Sequence, residues 1–247
     1  MKTHFNFILI LSAIIFLSLL SSCEKEESTT PQLKGTLIGW ATLNDEFANR
    51  ISDKSGVIVT VDGTNPLLTA TTDSTGKYQI DNLPEGTYNL ICTKSGFATY
   101  KVIGLQVVGG NMPRVQNISL TQPSTTVISN ISVKDSSNKI SYMQYSVATN
   151  AASGTIFDIR YFISTSDSVS SINYQYTGAV GIRFSANMVQ QFAVATINNI
   201  FPSGTLVYVI AYGETSTDAT YTDITTGLTI YPALNSQASN IASFIVP

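Results

Sequence analysis

Residues 71–97 read TTDSTGKYQIDNLPEGTYNLICTKSGF, and the spacing inside this stretch decides the fold. Asp73-Ser74-Thr75-Gly76 is a turn: the aspartate caps backbone amides and the glycine accepts a positive φ. Tyr78 and Ile80 follow on one face of a strand. Leu83-Pro84-Glu85-Gly86 makes a second turn, after which Tyr88, Leu90 and Cys92 share an inward face. Upstream, Val57, Val59 and Val61 alternate with Ile58 and Thr60 until Asp62-Gly63 turns the chain.

The same grammar runs along the rest of the chain. Short alternating runs rich in Val, Ile, Thr and Tyr are broken by Gly, Asn, Asp and Pro, with no stretch of helical period. This predicts an all-β protein, sandwich or barrel in kind, and 247 residues suffice for two ordinary domains. The Pro/Ser/Thr-rich segment at Thr121-Gln122-Pro123-Ser124-Thr125-Thr126 divides residues 33–122 from residues 123–247. In the second part, strands are expected over 128–133, 140–147, 156–163 and 206–212. Shorter ones are expected over 173–176, 180–184, 192–197, 228–231 and 242–246.

Three spaced pieces carry a resemblance: Gly56-Val57-x-Val59-x-Val61, Thr72-Asp73-x-x-Gly76-x-Tyr78 and Leu83-Pro84-x-Gly86-x-Tyr88. With Gly96-Phe97 behind them, residues 33–121 resemble the carboxypeptidase regulatory-like domain, a transthyretin-like β-sandwich. The resemblance implies an accessory fold rather than a catalyst. The B-type repeats of Gram-positive adhesins, a related group, link a first-strand Lys to a last-strand Asn. Lys34 and Asn117 stand near those ends, but no acid occupies the proton-shuttle position. In the second part, Ile200, Pro202, Gly204, Thr205 and Tyr208 are similar to the late-strand region of fibronectin type III domains, with extra residues between Pro and Tyr. The resemblances together imply two tandem sandwiches, transthyretin-like and then immunoglobulin/fibronectin III-like.

The first 22 residues have a positive start at Lys2, a run of Ile, Leu and Phe, and small residues before Cys23, as a secretory signal peptide does. The run is too short for a comfortable membrane span of ~20 residues. Leu20-Ser21-Ser22-Cys23 resembles the lipobox of bacterial lipoproteins, which implies acylation of Cys23. Two or three acyl chains hold a protein at a membrane where one alone holds only marginally. Glu24-Lys25-Glu26-Glu27 is similar to a signal that moves lipoproteins to the outer surface, and residues 23–32 read as an acidic tether. The expectation is a lipid anchor in the outer membrane, facing the exterior.

Composition narrows the chemistry. His4 is the one histidine, so the mature chain cannot run a Ser-His-Asp triad, a Cys-His pair or a His-based zinc site. Net charge is −3 with no dense basic patch, which argues against nucleic acid as a partner. Cys92 has no second mature thiol to pair with once Cys23 is acylated, and its alternation puts it in a core. Asp158 and Arg160 share a strand face and read as an ion pair, while Asp218 and Asp223 flank Tyr221 as solubilisers or weak calcium ligands. No catalytic residue, metal site or cofactor is assigned.

Nine of the twelve tyrosines follow Pro123. Tyr174 and Tyr176, placed on one face beside Ser and Asn, are the candidate ligand-binding pair, since exposed tyrosines suit sugar stacking and protein contacts. Trp40 reads as packing or domain contact. The expected role is therefore non-enzymatic: a stalk plus a recognition module for an extracellular glycan or protein. The alternatives are an assembly subunit of an outer-membrane or fimbria-like complex, and a carboxylate-based hydrolase.

Overall fold

Leu37, Val59, Leu83, Leu90, Cys92 and Leu120 have no solvent exposure and meet in one core between two sheets. Each such large apolar side chain contributes about 1.5–3 kcal/mol when fully buried. The computed structural model describes residues 33–135, 141–185, 191–193, 197, 199–217 and 219–247. The first sandwich contains β1 (Lys34–Asn44), β2 (Ile58–Val61), β3 (Leu68–Thr71), β4 (Lys77–Pro84), β5 (Gly86–Thr93), β6 (Tyr100–Val107), β7 (Arg114–Val115) and β8 (Ile118–Thr121). One sheet runs β4-β1-β7, with β8 also on β1; the other runs β3-β2-β5-β6. β1 is antiparallel to β4 but parallel to β7 and β8.

The turn at Asp73 forms as its residues dictate. Asp73 Oδ1 accepts from the Thr75 and Lys77 amides and the Thr75 hydroxyl, and Gly76 takes φ +89°. The Pro84-Glu85-Gly86 segment differs from a hairpin turn. β4 and β5 belong to opposite sheets, so Glu85 is the step by which the chain crosses the core.

Trp40 departs from the packing expectation: it is 43% exposed on the outer face of β1. The inward positions of β1 are Gly35, Leu37, Gly39, Ala41 and Leu43. Gly39 is required there, because a Cβ would lie 1.8 Å from the Gln116 carbonyl oxygen. Asn117 accepts the Trp40 N–H through Oδ1, six strand residues from Lys34. At ~3.3 Å per residue that is about 20 Å, so a Lys34–Asn117 crosslink has no geometry here.

The second sandwich contains β9 (Val127–Asp135), β10 (Ser141–Ala148), β11 (Ile156–Ser164), β12 (Tyr176–Arg183), β13 (Gln191–Ala193), β14 (Leu206–Glu214), β15 (Tyr221–Thr222), β16 (Thr229–Ile230) and β17 (Ala242–Ile245). Its sheets run β13-β10-β9 and β12-β11-β14-β17, with β15-β16 as a separate hairpin. Ile128, Met143, Phe157, Ile159, Ile163, Val207 and Val209 fill the space between them. On the outer face of the second sheet, Phe162, Val169, Ile210 and Tyr212 form a further cluster with Tyr174, Tyr208 and Tyr231.

The sandwiches share a joint. Phe47, from the β1–β2 connection, packs against the second core. Thr121 and Thr217 hydroxyls are 2.8 Å apart, and Ser124 N–H donates to the Ala233 carbonyl. Residues Leu33–Pro247 accordingly form one compact unit.

Candidate functional site

A cleft of about 200 Å³ opens between the outer face of the β3-β2-β5-β6 sheet and the β15–β16 hairpin. Strand alternation supplies its floor. With Leu90 and Cys92 buried, Asn89 and Ile91 of β5 face outward, and Lys101 stands opposite Ile91 on β6. Asp62, at the end of β2, donates its N–H to the Asn89 carbonyl and lines the same cleft. Asn89 Oδ1 accepts from the Gly104 amide, which fixes the side chain and leaves its amide nitrogen as a donor.

The hairpin supplies the wall. Tyr221 pairs with Ile230, and the turn beyond it is built on Asp223, whose Oδ1 accepts from the Thr225 and Thr226 amides and the Thr226 hydroxyl. Gly227 completes the turn at φ +72°. The Thr226 amide and hydroxyl, then the Thr225 amide, hold the Asp223 carboxyl below its usual range, and the Lys101 charge adds to this. Lys101 Nζ lies 5.6 Å from the centre of the Tyr221 ring, within cation–π range. The cleft thus offers an aromatic ring, one ammonium, two carboxylates and an amide. It has hydrogen-bonding capacity in both directions and no nucleophile–base pair.

The expected tyrosine pair is divided. Tyr176 packs toward the main core against Tyr161, ring centres 6.3 Å apart, while Tyr174 packs on Phe162 at 4.9 Å on the opposite face. A bend at Gln175 breaks the alternation: its N–H donates to the Ile163 carbonyl, and its Oε1 accepts from Thr165. The Tyr174 hydroxyl donates to the Thr229 carbonyl. Both rings are half-buried.

Arg160 puts its fork on Glu214, with Nε to Oε2 at 2.9 Å and Nη2 to Oε1 at 3.0 Å, and stacks over Tyr231 at 4.1 Å. Its ion pair with Glu214 runs across strands, from β11 to β14. Cys92 lies in the first core, where burial pushes its thiol up to about 12. Cys23 and Asp218 lie outside the described residues. Among the described residues no group of three or more His, Cys, Asp or Glu side chains gathers to hold a metal ion, and no helix is long and apolar enough to cross a membrane.

The sequence did not single out Asp62, Asn89 and Lys101 as site residues. Asn89 and Lys101 are ordinary strand positions and Asp62 a turn residue, and only the fold brings a hairpin more than a hundred residues later across them. Tyr221 and Asp223, in a Ser/Thr-rich stretch, carried the one available signal.

Residues 52–121 match the carboxypeptidase regulatory-like domain family. The first sandwich contains this domain, as the turn-and-tyrosine spacing led us to expect, and the chain continues beyond it as further all-β structure. No curated protein matches the sequence. Among solved structures, a type II cohesin–X-dockerin complex from Acetivibrio cellulolyticus matches at 23% identity and TM-score 0.29, covering 35% of this chain and 56% of that one. The chain therefore spans little more than half of that protein. A Bacteroides uniformis protein provisionally described as carbohydrate-binding matches at 10% identity and TM-score 0.32, covering 85% of this chain and 98% of that one. A DUF3823 family protein from the same organism matches at 14% identity and TM-score 0.31, covering 88% and 100%. Superpositions this loose carry no argument about ligand.

Proposed function

We propose that this protein is a non-catalytic, lipid-anchored recognition protein of the outer surface, and that its ligand is an extracellular glycan held in the cleft between the sandwiches. The carboxypeptidase regulatory-like domain serves as stalk and floor. The three-plus-four strand order of the second sandwich supports reading it as fibronectin III/immunoglobulin-like, with its β15–β16 hairpin as the recognition element.

The observation that carries the reading is the Tyr221 ring set among Lys101, Asp62, Asp223 and Asn89. A ring face suits the apolar side of a sugar, and the surrounding charges and amide suit its hydroxyls. A volume of about 200 Å³ is below the ~300–1,000 Å³ that encloses drug-sized ligands, so the cleft fits a chain end or branch. A glycosidase acid needs a raised pKa, whereas Asp223 is lowered and its Oδ1 is committed to the turn. Anchoring rests on the Leu20-Ser21-Ser22-Cys23 motif and surface display on Glu24-Lys25-Glu26-Glu27.

The test is a glycan panel read by thermal stabilisation and titration calorimetry. Tyr221→Ala is expected to abolish the response, and Tyr142→Ala to leave it intact. A panel with no binder, or a Tyr221→Ala protein that binds normally, refutes the reading. Protease shaving of intact cells tests display: a chain cut only after the outer membrane is broken refutes the outward orientation.

A further inference from the structure

The end of the first sandwich where β1 begins carries side chains that the core does not use. Leu33 is 59% exposed, Val108 65% and Met112 87%. They belong to one surface. Leu33 lies so close to Gly109 that a Cβ there would meet Leu33 Cβ at 2.3 Å, and Gly110 N–H donates to the Lys34 carbonyl. Val108, Met112 and Pro113 line a single dimple of about 220 Å³ together with Arg114. The charged residues of the contributing segments (33–35, 84–87 and 106–116) are Lys34, Arg114 and Glu85, a balance of +1. Lys34 and Arg114 are both exposed.

We propose that this surface docks on the lipid bilayer, with Leu33, Val108 and Met112 entering the headgroup region and Lys34 and Arg114 contacting lipid phosphates. The inference rests on the anchoring through Cys23 proposed above. Two observations select lipid as the occupant. The patch surrounds the point at which the chain leaves the residues 24–32 that follow Cys23, and ten residue steps place Leu33 at most about 35 Å from the anchor. Large apolar side chains flanked by cations suit an anionic interface, where the ring or chain is buried and the charge stays at headgroup level. The cleft floor on β5 begins at Asn89, three residues from Gly86 beside the docked end, so docking holds the cleft about 10 Å from that end.

The experiment uses the full acylated chain reconstituted in phosphatidylethanolamine–phosphatidylglycerol vesicles with brominated acyl chains. Trp40 is the single tryptophan, so Met112→Trp in a Trp40→Phe background gives one reporter, with Ile172→Trp in the same background as control. Met112→Trp is expected to be blue-shifted and quenched by the brominated lipid, and Ile172→Trp to be neither. Adding Lys34→Glu and Arg114→Glu is expected to reduce the quenching, and raised salt to reduce it in the parent. Flotation with the vesicles but no quenching overturns docking while leaving the anchor intact. Failure to float overturns the anchor and docking together. A dimer in detergent that Met112→Glu dissociates, without quenching in vesicles, reassigns the patch to a second copy of the chain.

Discussion

Glu46 and Thr125 are joined twice: the Thr125 N–H and hydroxyl each donate to a Glu46 carboxylate oxygen, both at 2.6 Å. Glu46 comes from the β1–β2 connection and Thr125 from the segment between the sandwiches. The Glu46 carbonyl also accepts the Ser216 amide at 3.0 Å, and its neighbour Phe47 packs on the second core. A stretch whose composition reads as linker is therefore held at both ends.

This joint sets the first prediction. Glu46→Ala removes two charge-assisted hydrogen bonds at an exposed site and is expected to cost about 1 kcal/mol. Phe47→Ala is expected to cost about 2 kcal/mol, below the ~3–5 of a fully buried Phe. The parent should melt in one calorimetric transition. The double variant should show two, with faster proteolysis between residues 121 and 126. One unsplit transition in the double variant would mean the joint does not couple the sandwiches.

Arg160 and Glu214 set the second. Their side chains are 13% and 9% exposed, so Glu214→Leu strands a guanidinium away from water and is expected to cost about 3 kcal/mol. Arg160→Met with Glu214→Leu replaces both charges by apolar groups and is expected to recover most of that loss. Urea unfolding of the single and double variants gives the comparison. A double variant as weak as the single one would show that the ion pair itself supplies net stability.

The pH dependence has two limbs. The Thr75 hydroxyl first, then the Lys77 and Thr75 amides, lower the Asp73 carboxyl, and the Thr226 and Thr225 donors lower Asp223. A lowered folded pKa adds stability above the unfolded carboxylate value, and that stability is lost as pH falls through the folded one. Burial raises the Cys92 thiol from 9.0 to about 12. It also raises the Tyr78 hydroxyl, to which the Cys92 charge adds. These contributions are whole below the unfolded pKa values and are lost as pH rises through the folded ones. Stability is expected to fall above about pH 9, less steeply in Cys92→Val. Native Cys92 is expected to resist a thiol reagent at about pH 8 until urea unfolds the chain.

Gly39→Ala tests the close approach inside the first sheet. The new methyl meets a backbone carbonyl, which cannot rotate away as a side chain would. The expected cost is about 3 kcal/mol, at the upper end of overpacking, with loss of the Tyr78 hydroxyl bond to the same Gln116 oxygen. A variant with parental stability by urea unfolding would show that the β1–β7 region shifts freely.

Residues 57–61 and 73–92 announced their strands because inward positions carry Val, Tyr, Ile and Leu against outward neighbours that are polar except Ile58 and Ile91. β11 and β14 were equally legible. β1 was not, although it is the longest strand of the first sandwich. Its inward side alternates Gly and Ala with Leu while its outward side holds Ile38 and Trp40, so the period-2 contrast is weakened and Trp40 reads as packing or domain contact. Tyr174 and Tyr176 were misplaced for another reason: alternation holds only while the chain is extended, and Gln175 bends it. The cleft was half legible, through Tyr221 and Asp223. Its floor depends on a contact between distant segments that no local pattern encodes.

The parallel pairing of β1 with β8 has a mechanical meaning. The chain comes into the first sandwich at the start of β1 and leaves it at the end of β8, and the two strands lie side by side from Ala41↔Ile118 to Asn44↔Thr121. Tension applied between residue 33 and residue 121 pulls these strands past one another lengthwise. Their hydrogen bonds are then stretched together in shear, where an antiparallel pair pulled from one end would open bond by bond. The chain is expected to yield late in single-molecule pulling through residues 33 and 121, and early when pulled across β5 and β6.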